Sequence, residues 1–352
     1  MIASERDASA GLDATALHLA SLQCPGGVVL LASGSGADPW NHVEAAIGLD
    51  LVGRHDLALR AYRWLAAAQM KDGSWLATYN SDGLATANHV DTNAVGYVAS
   101  GVLAHLVVTG DDLGCDELYP MVEAALDYVI GLERGTGAVP WSVDGDGGES
   151  PLRLLAGSSS LVSSLRHGAE LASHLGHDGA RWRAASDRIA GEIVAREEGF
   201  ADKSEFAMDW YYPVLAGVIN GEQASRRLSY GEPSFVTSDG VRCRSDRRWI
   251  TSAETAEAAI AFVRAGDSEM AKTLFSTLAD KLLPNGGYLT GVVYPERSEF
   301  PKGESTSYSD AAVLIAADVL DGGVANELFG DAVPALDAPS PVARSTRKLS
   351  AA

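Results

Sequence analysis

Five consecutive residues, Asp209-Trp210-Tyr211-Tyr212-Pro213, set one carboxylate beside three rings with polar tips. A hydrophobic or aromatic wall disfavours the charged form of a carboxylate, so the group keeps its proton nearer neutral pH. That is the state a general acid needs. Tyr and Trp offer an apolar face and a hydrogen-bonding tip, which suits the faces and hydroxyls of a sugar. Glycoside cleavage asks for a second carboxylate across a cleft, roughly 6.5–9.5 Å away where water must fit between the two. Asp209 takes the acid role in this reading. Glu254, Asp91, Glu44 and Glu296 are candidate bases, and the sequence does not choose among them. Trp40, His42, His89, Trp141, Trp210, Tyr211, Tyr212, Arg242, Trp249 and Tyr308 are candidates to line the substrate site. The competing reading is structural. Asp38, Asp91 and Asp209 also suit helix caps, and Glu44 and Glu254 suit the positive ends of helices.

These residues fall at the starts of recurring helices. Asp38-Pro39-Trp40 reads as a cap followed by Pro at the first helical position, with Trp40, Val43, Ile47 and Leu51 three and four residues apart. A second helix follows Gly53, and the loop Lys71–Ser74 closes the pair. The unit recurs as Asp91–Val108 with Glu117–Leu132, Ser158–Leu175 with Arg181–Glu197, Trp210–Asn220 with Glu222–Leu228, and Thr251–Arg264 with Ser268–Leu282. Ser307–Asp318 is a last inward helix, and Leu12–Leu22 is its partner. Gly26–Leu31 is expected as a short strand. Repeated helix pairs imply a solenoid or a closed ring. Irregular loop lengths favour closure over a HEAT-like solenoid, so the expected fold is all-α: an (α/α)6 barrel over residues 1–334 with short strands in its loops. Residues 335–352, rich in Ala, Ser and Pro, read as a flexible tail. In such a ring the inner helices run the same way, and their N-termini gather the candidate residues at one pole.

Composition narrows the partners. The chain has 352 residues, 46% of them hydrophobic, and a net charge of -20. A polyanion such as nucleic acid would be repelled. Cys24, Cys115 and Cys243 show no zinc spacing and read as free thiols in a reducing cytoplasm. His42 and His89 lack metal-ligand spacing, so neither a metal nor another cofactor is expected. The near-apolar stretch Ala94–Val108 is too short to span a membrane and reads as a buried helix. A small-molecule substrate is the expected partner, and the oligomeric state is left open.

The alternating hairpins resemble the α/α-toroid superfamily, which includes terpenoid cyclases, protein prenyltransferases and six-hairpin glycosidases. Gln69-Met-Lys-Asp-Gly73-Ser-Trp75 is similar both to the Q-x3-G-x-W repeat of triterpene cyclases and to the Q-x-x-D-G-S-W of glucoamylase-like enzymes. The chain as a whole resembles actinobacterial proteins described as prenyltransferase-like by fold. It has no D-x-D-D acid motif, and Asp111–Asp116 reads as a turn at the opposite pole. Tyr294-Pro295-Glu296 followed by Ser307-Tyr-Ser-Asp-Ala-Ala312 resembles the glucoamylase-like pattern, which implies Glu296 as a general base. Arg181–Asp187 after a Leu-Gly turn is similar to that family too, but Trp141-Ser-Val-Asp144 stands where it has Trp-Glu-Glu. The leading expectation is a metal-independent hydrolase of a small glycoside. A terpenoid-cyclase-like or prenyl-ligand enzyme and a non-catalytic binding toroid are the alternatives.

Overall fold

The computed structural model describes residues 5–329; the expected tail lies outside them. In chain order the helices are α1 (Glu5–Ser21), α2 (Pro39–Leu51), α3 (His55–Ala68), α4 (Thr92–Thr109), α5 (Asp112–Glu133), α6 (Leu155–Leu175), α7 (Ala180–Ala195), α8 (Ala207–Leu215), α9 (Gly221–Phe235), α10 (Ser252–Arg264), α11 (Ser268–Ser276), α12 (Ser307–Leu320) and α13 (Ala325–Phe329). The even-numbered helices each pack on the next, and α12 packs on α2, so the inner ring closes. The odd-numbered helices from α1 to α11 pack outside it, with α1 against both α12 and α2. This is the expected (α/α)6 barrel, closed rather than solenoidal.

The division into inner and outer helices follows from residue type. Inner helices carry Ala, Gly and Ser where two neighbours press on both flanks; α4 is buried from Thr92 to Leu106. The helix runs beyond the Ala94–Val108 stretch at both ends, so by length and composition it could cross a membrane, contrary to the expectation, yet it is buried as expected in the core of the ring. Close approach requires small residues: a Cβ on Gly96 would lie 2.5 Å from Leu161 of α6. Outer helices are amphipathic and bury one stripe, as α3 does with Ala58, Ala61, Tyr62 and Leu65.

The Gln69–Trp75 motif is a clasp between hairpins. Gln69 Nε2 donates to the carbonyls of Gly73 and of Met121 in α5, both at 2.9 Å. The buried Trp75 indole donates to Leu65 O at 2.9 Å. Gly73 has φ +93°, and a Cβ there would lie 2.2 Å from the Ala124 carbonyl oxygen. A second clasp follows α1: Gln23 Nε2 donates to Gly27 O and to Leu57 O in α3. The same backbone turn recurs after α11, where Leu283 N–H reaches Gly287 O and Gly286 N–H reaches Leu283 O. The motif therefore repeats around the ring, with Val29 in place of Trp at its first copy.

The loops before the inner helices are knitted by short strands. β1 (His89–Asp91) pairs antiparallel with β2 (Ser142–Asp144), with His89 opposite Asp144 and Asp91 opposite Ser142. β3 (Val236–Thr237) pairs with β4 (Gly240–Val241), and β5 (Trp249–Thr251) with β6 (Gly291–Val293), which also pairs with β7 (Ser298–Glu299). These ladders tie the start of α4 to the approach to α6, and the start of α10 to the approach to α12. Two expectations change. Gly26–Leu31 contributes one bridge, Gln23 to Val29, because a tight turn occupies the segment. α8 begins at Ala207, so Asp209 is its third residue and not its cap.

Candidate active site

The N-termini of the inner helices form the expected pole, and its floor is aromatic. Trp40 (α2) stacks on Tyr97 (α4) with ring centres 4.5 Å apart and planes 10° apart, and it meets Tyr212 (α8) at 6.0 Å. α2 and α8 are opposite in the ring, so these rings close the lumen. Below them lie two buried carboxyls. Glu44 accepts the Tyr97 hydroxyl; Glu257, one turn into α10, accepts Tyr211 and, at 2.6 Å, Tyr308. Burial pushes Glu44 up to about 7. Burial, then the charge of Glu44, pushes Glu257 up to about 8. Two carboxyls in one low-dielectric space cannot both ionise cheaply, and the tyrosine hydroxyls satisfy their oxygens.

Above the floor the carboxylates stand around a mouth. Asp38 caps α2: its oxygens accept Asn41 N–H at 2.9 Å and Asn41 Nδ2 at 2.6 Å. Asp91 caps α4, accepting from Asn93 N–H at 2.9 Å and Ala94 N–H at 3.4 Å. Burial raises both above the usual carboxylate range, and the charge of Asp38 raises Asp91 further. Glu254 is half-buried in the first turn of α10, opposite α4 in the ring, and takes a hydrogen bond from the Cys243 thiol. His89 of β1 and Trp141, the residue before β2, make an edge contact at 6.2 Å beside Asp91.

Asp209 stands apart from this group. It lines a flank cleft of ≈ 920 Å³ between the loop after α7 and helix α9, with Trp210, Phe235 and Tyr230. Its Oδ1 accepts Ala156 N–H at 3.3 Å from the first turn of α6, and burial pushes it up to about 6. The local backbone follows from Pro213. Proline has no N–H, so the Asp209 carbonyl loses its partner within α8. Arg227 of α9 supplies one: Nη2 reaches Asp209 O at 2.6 Å and Nε reaches Trp210 O at 2.8 Å, while both terminal nitrogens hold Glu197.

Several candidates lie elsewhere than expected. His42 is fully buried and faces α3. Its Nδ1 accepts Val29 N–H and its Nε2 donates to Ala61 O, both at 3.0 Å, so it has no contact to offer a ligand. Trp210 packs outward on Phe235 at 5.3 Å and donates to the carbonyls of Arg227 and Leu228. Tyr211 is fully buried under the floor, and Tyr212 nearly so. Glu44 lies in the floor rather than in the mouth. Glu296 is exposed on the β6–β7 turn and pairs with Arg248 at 3.1 Å. Trp249 donates to Phe300 O and packs on that ring, and Arg242 bonds Ser234 O at 3.3 Å; both are half-exposed at the rim. Tyr308 is half-exposed beside Glu257. The sequence reading missed Glu257 and Tyr97 and took Asp38 only as a cap. The three-residue spacing of Glu254 and Glu257 in an Ala-rich inner helix was the available signal.

Comparison with known proteins decides the family. The MMP endo-(1,4)-3-O-methyl-alpha-D-mannosidase of Mycolicibacterium hassiacum is 35% identical over 307 residues, 87% of this chain and 85% of the relative. The chain belongs to the family of this endomannosidase. It is a glycoside-hydrolase-like, carbohydrate-active enzyme. No family model matches it. Among solved structures, a glycosidase point variant superposes with a TM-score of 0.72 at 16% identity, over 91% of this chain and 99% of its own. The GH63 mannosylglycerate hydrolase of Thermus thermophilus, solved with glucose, gives 0.66 at 14% identity over 87% and 99%. At that identity the superpositions establish the fold. The mannosidase-family assignment favours the glycosidase branch of the toroid resemblance over the isoprenoid one.

Proposed function

We propose that this chain is an endo-acting hydrolase of α-(1,4)-linked, 3-O-methylated mannosides, working at the mouth of the inner ring in a reducing compartment. The observation that carries the site is the placement of carboxylates on opposite walls of that mouth, Asp38 and Asp91 on one side and Glu254 on the other, above the rings of Trp40 and Tyr308. In this reading Asp91, whose proton affinity is raised by burial and by its neighbour Asp38, gives its proton to the leaving glycosidic oxygen. Glu254 takes a proton from the water that attacks the anomeric carbon, so the C–O bond breaks as the new one forms. Trp40, Trp141 and His89 would bear on the sugar rings. Asp209, on the flank, binds rather than transfers a proton.

The test is hydrolysis of a 3-O-methylmannose oligosaccharide, followed by release of reducing ends, in wild type, Asp91→Asn and Glu254→Gln. Asn remains a good cap, so the fold is retained. Each substitution is expected to lower kcat by about 10²–10⁴. Wild-type turnover in both variants, or full loss in Asp209→Asn alone, would overturn the site.

A further inference from the structure

The flank cleft at Asp209 is built and open, yet no step at the mouth uses it. Its ≈ 920 Å³ lies within the roughly 300–1,000 Å³ of small-ligand sites. Its lining includes none of Asp38, Asp91 and Glu254. We propose that this cleft is an auxiliary saccharide-binding site that holds a neutral segment of the glycan outside the mouth.

Three observations carry the inference. Tyr230 of α9 lines the cleft and is 90% exposed, the most exposed of the large apolar and aromatic side chains described. An aromatic ring left in water beside a cavity offers a stacking face for the C–H side of a sugar. The charge is the second. Glu197, Glu198, Asp202 and Asp209 outnumber Lys203 and Arg227 around the cleft, and Arg227 is already held by Glu197 and two backbone carbonyls. Phosphate and carboxylate ligands are therefore repelled, while a neutral polyol finds acceptors. The third is placement. The cleft is bordered by Leu155 and Asp209, in the first turns of α6 and α8, so it opens at the same pole as the mouth. A long chain crossing the mouth can reach it, and an enzyme that cleaves inside a chain gains from holding the chain away from the cut. The inference rests on the glycosidase reading for its ligand class.

The test separates binding from cleavage. A thio-linked α-(1,4)-mannotetraose, which resists hydrolysis, is titrated by calorimetry into wild type, Tyr230→Ala and Asp209→Asn. Removing an exposed ring leaves no buried cavity, so Tyr230→Ala is expected to fold. Each substitution is expected to weaken Kd by about three- to tenfold. An unchanged Kd in both variants, absence of binding by wild type, or displacement of the saccharide by spermidine through the Asp209 cleft would overturn the proposal. Cleavage of the O-linked oligosaccharide is measured separately. Binding that responds to Tyr230 without any cleavage would sink the hydrolase reading and leave the site standing.

Discussion

The buried Glu44–Glu257 pair makes stability fall as pH rises. Both carboxyls are raised from an ordinary value of 4.5, to about 7 and about 8. Between those limits the folded protein holds protons that the unfolded chain has released. The stabilising contribution is therefore fully present below 4.5 and is lost as pH rises through 7 and then 8. Every tenfold gain in a carboxyl's proton affinity on folding is worth about 1.4 kcal/mol, so the pair contributes several kcal/mol across that window. The groups that face it are Tyr97, Tyr211, Tyr212 and Tyr308, all pushed well above the ordinary tyrosine value by burial, and Glu254. The tyrosines stay neutral over the window and do not mask the effect. Glu257→Gln removes the titrating group while keeping an oxygen for one tyrosine. At pH 5.5 the variant should be less stable than wild type by about 1–2 kcal/mol, the cost of one poorly replaced buried hydrogen bond. At pH 8.5 the order should reverse. Urea-denaturation midpoints at pH 5.5, 7 and 8.5 measure this directly. A wild-type midpoint that does not move between pH 5.5 and 8.5, or an equal loss in the variant at both, would refute the reasoning.

Two further outcomes follow from the fold. Gly73→Ala should lose about 3 kcal/mol of stability, because the position is left-handed and the added methyl meets the Ala124 carbonyl; urea titration reads the loss. His42→Phe should cost about 2–3 kcal/mol by leaving Val29 N–H and Ala61 O without their side-chain partner, while KM at a permissive temperature stays at the wild-type value.

The ring was legible in the sequence because its signals are local. Capping Asp residues, Pro39 at the first helical position and the alternation of helices each mark a boundary on their own. Closure was inferred from the irregular loop lengths and is met by the α12–α2 contact, and the expected pairing of the first helix with the last inward one is the α1–α12 contact. The site was less legible because depth is not local. His42 and Trp210 sit at helix starts beside residues of the candidate mouth, but a rotation of about 100° per residue turns them outward against α3 and α9. Glu257 looked like one more residue of an Ala-rich helix, since nothing in its neighbours shows that Tyr211 and Tyr308 converge on it from two other helices. The clasp at Gln23 was missed because its third position is Val29, and the shared feature is a backbone turn.

Closure of the ring has a consequence for how the chain is made. The surface of α2 that receives α12 is synthesised near the beginning, and its partner emerges near the end. Until then the nascent protein has an open apolar seam, the kind of surface on which an incomplete chain can join its neighbour on the same messenger. The small residues that let α12 approach, with Gly48 of α2 set against Ala311, also make that seam smooth and unselective. The inner ring therefore closes only once α12 has been made, and slower translation upstream of α12 lengthens the interval of exposure.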